Sequence, residues 1–244
     1  MVGKQRTCAY CGKSGARREM TQEHFVPRCL WEGRRPNRTE TVWVHHACNA
    51  GHSKDDEFFR TAIVSMHGTE RHREAIQVQN GPLSRLMRNR PNVLFGHLRN
   101  LGVRPIESPS GLYLGNRMTF NLDVPRFLRV LRKTILGLYY CKTRKPLASD
   151  YSAHLVWENQ YTRPLIEPMF PFMLPNGGIA DFGDDVFIYR WLIHPDDERV
   201  SYWCLGFYRA VSFFAATLPN READERGGVL NFLNVSPMAV WPRY

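Results

Sequence analysis

Four side chains that bind soft metals fall into two pairs near the start of the chain. Cys8-Ala9-Tyr10-Cys11 sets two thiols with two residues between them, and His45-His46-Ala47-Cys48 sets an imidazole and a thiol at the same spacing. Thiolates and imidazoles are the ligands tetrahedral zinc prefers, so the four read as a closed Cys3His structural site. His46 is the alternative imidazole, at a less usual spacing from Cys48. A metal suits this segment, because so short a stretch has little apolar surface to fold on and zinc binding adds folding free energy.

A second set of polar residues is threaded through the same stretch. Glu23-His24-Phe25-Val26-Pro27 lies between the pairs, and Asn49 and His52 follow directly after the second. An imidazole near its ordinary pKa can take a proton from water at neutral pH, which makes His24 a candidate base. The order His, Asn, His around a zinc knuckle resembles the HNH endonuclease family. That resemblance covers residues 8–60 and rests on the two ligand pairs, the acid-His-x-x-Pro block and the Cys-Asn-x-x-His block.

The resemblance implies a zinc-stabilised ββα-metal module: a ribbon ending near His24, a strand over residues 41–45 and a helix shortly after Asn49. It also implies metal-dependent cleavage, most of all of double-stranded DNA, with RNA or a branched junction as other substrates. Glu23 and Asn49 would hold a catalytic Mg2+ or Mn2+, for which a carboxylate and an amide oxygen are suitable hard ligands. His52 would bind metal, touch the scissile phosphate or protonate the leaving oxygen. Glu23 stands where the family more often has Asp, and His45 where it more often has a fourth Cys. Taken singly, each residue has a plainer reading: His24 as a core histidine, Asn49 as a cap, Asp55 and Asp56 as helix-start residues.

The elements that must position these groups are partly visible. Thr41-Val42-Trp43-Val44 is rich in strand formers. Ser53-Lys54-Asp55-Asp56 looks like a capping-box helix start, and Phe58, Phe59, Ala62, Ile63 and Met66 follow at helical spacing. Residues 67–82 are polar and end in Gly81-Pro82, which sets the expected boundary between a 1–75 nuclease module and a 76–244 α+β region.

Beyond that boundary, residues 83–89 and 92–101 look helical, and residues 112–122 resemble a small hairpin around Gly115-Asn116. Asp123-Val124-Pro125 opens a helix carrying Phe127, Val130, Leu131, Thr134, Ile135 and Leu138 on one face. Residues 170–185 read as a loop. Strands are expected over 153–157, 186–193, 200–208 and 211–218, forming an antiparallel sheet. Its aromatic residues Phe187, Tyr189, Trp191, Tyr202, Trp203, Phe207 and Tyr208 suit a buried core better than a base-stacking platform. The fold class expected is therefore α+β.

The chain has 244 residues and a formal charge of +10, unevenly spread. Residues 1–80 hold 13 basic and 9 acidic side chains, residues 81–145 hold 13 and 2, and residues 146–244 hold 7 and 12. A basic middle beside a nuclease motif fits a polyanionic substrate. Arg34 and Arg35 in a loop, and Arg126, Arg129, Arg132 and Lys133 on the helix, are the candidate nucleic-acid contacts. The acidic last third suits a protein or small-molecule regulator instead. Cys29, Cys141 and Cys204 read as buried small hydrophobes in a reducing compartment. No apolar run spans a membrane, and Met1-Val2-Gly3-Lys4-Gln5-Arg6 lacks a signal-peptide core, so a cytoplasmic protein without a membrane partner is expected. The rival functions are a zinc-knuckle nucleic-acid binder that does not cleave and a ligand-gated defence or toxin nuclease.

Overall fold

Residues 41–45 bury Val42 and Val44 at alternate positions, as a strand with one covered face does, and residues 20–24 run beside them. In the computed structural model, which describes residues 5–33, 36, 40–108, 110–159 and 162–220, they form β1 (Met20–His24) and β2 (Thr41–His45). The two pair antiparallel, with Met20 opposite His45 and His24 opposite Thr41. Arg34 and Arg35 lie outside the described residues.

The helix after this hairpin, α1 (His52–Val64), starts two residues earlier than the capping-box reading of Ser53 implies. Its cap is Gly51, at φ 85. That left-handed conformation is cheap for glycine alone, so the turn, and not a serine side chain, sets the helix start. Phe58, Phe59, Ala62 and Ile63 are buried as the spacing predicts.

Residues 67–82, expected as a polar break, are largely helical. α2 (Arg73–Val78) runs through a wide turn at Gln79–Leu83 into α3 (Ser84–Asn89). Ala75 and Val78 reach the core, and Pro82, which lacks an N–H, sits in the widened turn. α4 (Pro91–His97) ends before residue 101. The chain then makes a longer hairpin than expected, β3 (Arg99–Glu107) and β4 (Tyr113–Asn121). It reverses at residues 108–112, where Ser108 N–H donates to Leu112 O at 2.8 Å and Gly111 has φ 83. Gly115 therefore lies within a strand, not at the bend.

α5 (Val124–Thr143) is capped by Asp123, whose carboxylate accepts from Arg126 N–H at 3.3 Å. Its buried face includes Phe127, Val130, Leu131, Ile135 and Leu138. Gly137 is required by contact: a Cβ there would lie 2.2 Å from the Phe25 ring.

The last third forms a five-stranded antiparallel sheet from β5 (Tyr151–Trp157), β6 (Gly178–Phe182), β7 (Phe187–Ile193), β8 (Ser201–Phe207) and β9 (Val211–Pro219), ordered β5-β9-β8-β7-β6. The expected loop at 170–185 instead contains a short helix, Phe170–Asn176, and the edge strand β6. Gly178, inside that expected loop, serves close approach, since a Cβ there would meet the Trp191 ring at 2.1 Å.

Phe187, Tyr189, Trp203, Phe207 and Tyr208 are buried, making them sheet core rather than a platform for bases. They join Phe25, Val42, Phe58, Phe59 and Phe127 in one continuous apolar cluster. The fold is thus α+β with an antiparallel sheet. Among the described residues no helix is long and apolar enough to cross a membrane.

Candidate functional site

Cys8 and Cys11 sit on a tight turn, closed by Gly12 N–H to Cys8 O at 3.0 Å and tied to β2 by Ala9 N–H to Trp43 O at 2.9 Å. His45 ends β2, and Cys48 lies one helical turn on, in His46–Asn49. The hairpin thereby brings two distant pairs together: the ligand atoms of Cys8, Cys11, His45 and Cys48 all lie within 4.8 Å of one another. His46 is exposed and outside the cluster, which decides between the two imidazoles. Three sulfurs and an imidazole in this arrangement can hold a metal such as zinc.

The thiols are not equivalent. Burial pushes Cys8 up, but backbone N–H groups of Cys11, His45 and Tyr10 more than offset it, so Cys8 is lowered to about 7. Cys48 is raised to about 12 by burial and by the neighbouring Cys11 and Cys8. A bound dication would favour the thiolate form of all three. Cys29, Cys141 and Cys204 are free thiols held up at about 12 by burial, as expected of packing cysteines.

Met20, opposite His45, is the β1 residue at this cluster; Glu23 and His24 end β1 further along the hairpin, opposite Val42 and Thr41, while Asn49 and His52 flank the Ala50-Gly51 turn. His24 is half-buried. Asn49 Oδ1 and His52 Nδ1 are buried and have no hydrogen-bond partner among the described residues. Burial, helped by the Lys133 ammonium, lowers the His52 pKa, so its imidazole is neutral at neutral pH and suited to accept or ligate rather than to donate a proton. Tyr10 packs on His52 with ring centroids 5.9 Å apart. Its hydroxyl is also buried without a partner, and burial beside the Glu23 and Asp56 carboxylates pushes its phenol well up.

Lys133 corrects an expectation. Its side chain is 2% exposed, and Nζ lies 2.8 Å from Glu23 Oε1 and 2.7 Å from Asp56 Oδ1. Placed inward, it cannot reach a phosphate; it bridges β1 to α1. Arg126, 2.6 Å from Asp55 Oδ1, and Arg129, 2.8 Å from Asp55 Oδ2, hold the neighbouring acid. The helix face expected to meet nucleic acid is thus largely spent on α1. Asp55 and Asp56, which read as helix-start residues, are the anchors of this clamp.

The two acids respond oppositely. Burial raises Asp56 to about 6 despite Lys133. Burial also acts upward on Asp55, but Arg129 and Arg126 outweigh it and hold that carboxyl below the usual range. Arg132, by contrast, is exposed, and it lines a groove of about 730 Å3 together with Tyr10, Cys11, Lys13 and Ser149.

Sequence reasoning missed Asp56, Tyr10 and the true role of Lys133. A signal was present: Arg126, Arg129 and Lys133 recur at three- and four-residue steps and so share a helix face, which a run of two adjacent acids on α1 can meet. No family model matches the chain, and no curated protein or solved structure matches it.

Proposed function

We propose that the protein is a metal-dependent endonuclease that hydrolyses phosphodiester bonds in double-stranded DNA, with β1, β2 and α1 as an HNH-type ββα-metal module held by zinc on Cys8, Cys11, His45 and Cys48. One observation carries the reading. Asn49 directly follows the ligand Cys48 and His52 opens the next helix, their Oδ1 and Nδ1 atoms are buried with no hydrogen-bond partner among the described residues, and the Glu23 carboxylate is close enough to act on His52. An unsatisfied buried polar atom costs about 1–3 kcal/mol, which a ligand at that position would recover.

In this reading His24 takes the proton of the attacking water. Glu23 and Asn49 would hold Mg2+ or Mn2+, whose contribution when bound is to neutralise charge on the scissile phosphate and leaving oxygen. The donor set fits such an ion: Asn49 Oδ1 is uncommitted, and Glu23 has one oxygen beyond the Oε1 that Lys133 engages. Neutral His52 contacts the phosphate or the ion. Lys13 and Arg132, on the wall of the adjoining groove, supply backbone phosphate contacts, which carry affinity without sequence information.

Lys133 also favours a second reading. It already satisfies Glu23 and Asp56 with a buried ammonium, as expected of a zinc-knuckle binder that needs no catalytic cation. A labelled DNA duplex incubated with the protein, with and without added Mg2+ or Mn2+, separates the two. Metal-dependent scission supports the nuclease; retained duplex with zinc still bound supports the binder.

A further inference from the structure

We infer that the β3–β4 ribbon is an arm that grips nucleic acid, its stem clamping backbone phosphate through Arg104 and Arg117 and its apolar tip lying against bases. Choosing a duplex as the partner rests on the nuclease reading; the arm itself rests on the following geometry.

A two-stranded ribbon alone is marginal in water, and most are covered on one face. This one is open toward its tip on both, while Phe120 at its base packs on a small apolar cluster. On one face Val103 stands directly opposite Met118, and these side chains are 65% and 69% exposed. On the other, exposed Arg104 stands directly opposite half-buried Arg117, whose Nη2 lies 3.2 Å from His67 Nε2. Like charges at directly opposed positions repel, and an anion bridging the pair would relieve that. Where the chain reverses, Leu112, Tyr113 and Leu114 are all more than half exposed.

The surroundings have the same sign. Between residues 83 and 121 only Glu107 is acidic, against Arg85, Arg88, Arg90, Arg99, Arg104 and Arg117. Arg85 is engaged by Glu32 at 2.9 Å, while Arg88 and Arg90 at the end of α3 are exposed.

A second copy packed on the Val103 and Met118 face would cover the apolar residues but would leave the opposed arginines of the other face without an anion. A nucleic acid accounts for both sets. A major groove is wide enough for a two-stranded ribbon, basic stems meet phosphates, and apolar tips wedge against or between bases. With about 3.3 Å of rise per residue, nine-residue strands give the arm a reach of about 30 Å.

The test measures affinity of the full chain for a fluorescent duplex, without added Mg2+ or Mn2+, from about 50 to about 200 mM salt. Arg104→Gln with Arg117→Gln should reduce the slope of log affinity against log salt by about two and weaken binding about tenfold at the upper salt. Its thermal midpoint should stay close to that of the parent, because the relieved repulsion offsets the lost Arg117–His67 hydrogen bond. Tyr113→Ala with Leu114→Ala should weaken binding about fivefold or more with the slope unchanged.

A slope and affinity unmoved by the arginine changes overturn the proposal, as does a parent that binds no duplex. So does a variant whose only change is loss of self-association by sedimentation, which would assign the ribbon to a second copy. Scission with ribbon-independent affinity sinks the arm and spares the nuclease. Ribbon-dependent binding without scission does the reverse.

Discussion

Two of the antiparallel ribbons among the described residues solve the same problem in opposite ways. β1–β2 has five-residue strands, is tied at one end by the Cys8, Cys11, His45, Cys48 cluster, and packs Val42 and Val44 into the core. β3–β4 has nine-residue strands and is exposed along nearly all of its length. The short ribbon is held by a metal-competent clamp, burial and the Lys133 bridge; the long one mainly by its own ladder, with Phe120 packed at its base and Arg117 beside His67. Rigid support goes with chemistry that needs placed atoms, and an open ribbon with a surface that meets something large.

Breaking the clamp should produce the largest effect. Cys11→Ser, or a strong chelator, should strip zinc and unfold the β1–β2 unit, since binding energy at such a site is also folding energy. Zinc analysis and circular dichroism check this. A zinc-loaded variant with an unchanged melting curve would mean that Cys11 is no ligand.

Lys133→Met comes next. It strands two mostly buried carboxylates, and removing one partner of a buried pair costs about 3–5 kcal/mol. Denaturant unfolding measures it; a loss near zero would show that the bridge is not formed. The same variant sharpens the comparison, because the long ribbon contains no contact of this kind to lose.

The pH dependence follows from the two acids. Asp56 is raised to about 6 when folded, so it contributes stability that is present at low pH and lost as pH rises through about 6. Asp55 is held low, so its contribution is present at neutral pH and lost on acidification. Asp56→Asn should therefore flatten the stability profile near pH 6 while leaving the acid limb. A profile unchanged near pH 6 would contradict that assignment.

Gly137→Ala should cost about 1–3 kcal/mol by forcing the methyl into the Phe25 ring. At the other extreme, Val103→Thr in the long ribbon should change stability by less than about 0.5 kcal/mol, as open surface positions do. A large loss there would mean the ribbon is packed, and the contrast between the two ribbons would fail.

Much of this was legible in residue order. Ligand spacing located the knuckle, β-branched density located β2 and the sheet, and the helical repeat of Phe127 to Leu138 located α5. What escaped were features decided by partners far along the chain. Lys133 looks like one more cation on a basic face until Glu23 and Asp56, more than 70 residues upstream, are brought against it. Gly178 looks like loop punctuation until Trp191 lies over it. The bend of the long hairpin was misplaced because Gly115 competes with Gly111 in sequence, and only the Ser108 hydrogen bonds choose between them.

The most direct test of the central claim is incubation of supercoiled plasmid with the wild-type protein and with His24→Ala, each with Mg2+ or Mn2+, alongside duplex affinity for both. The account predicts nicking by wild type alone, with zinc content and affinity equal in the two. Nicking by His24→Ala would contradict His24 as the base, and wild type that binds but never nicks would contradict the nuclease.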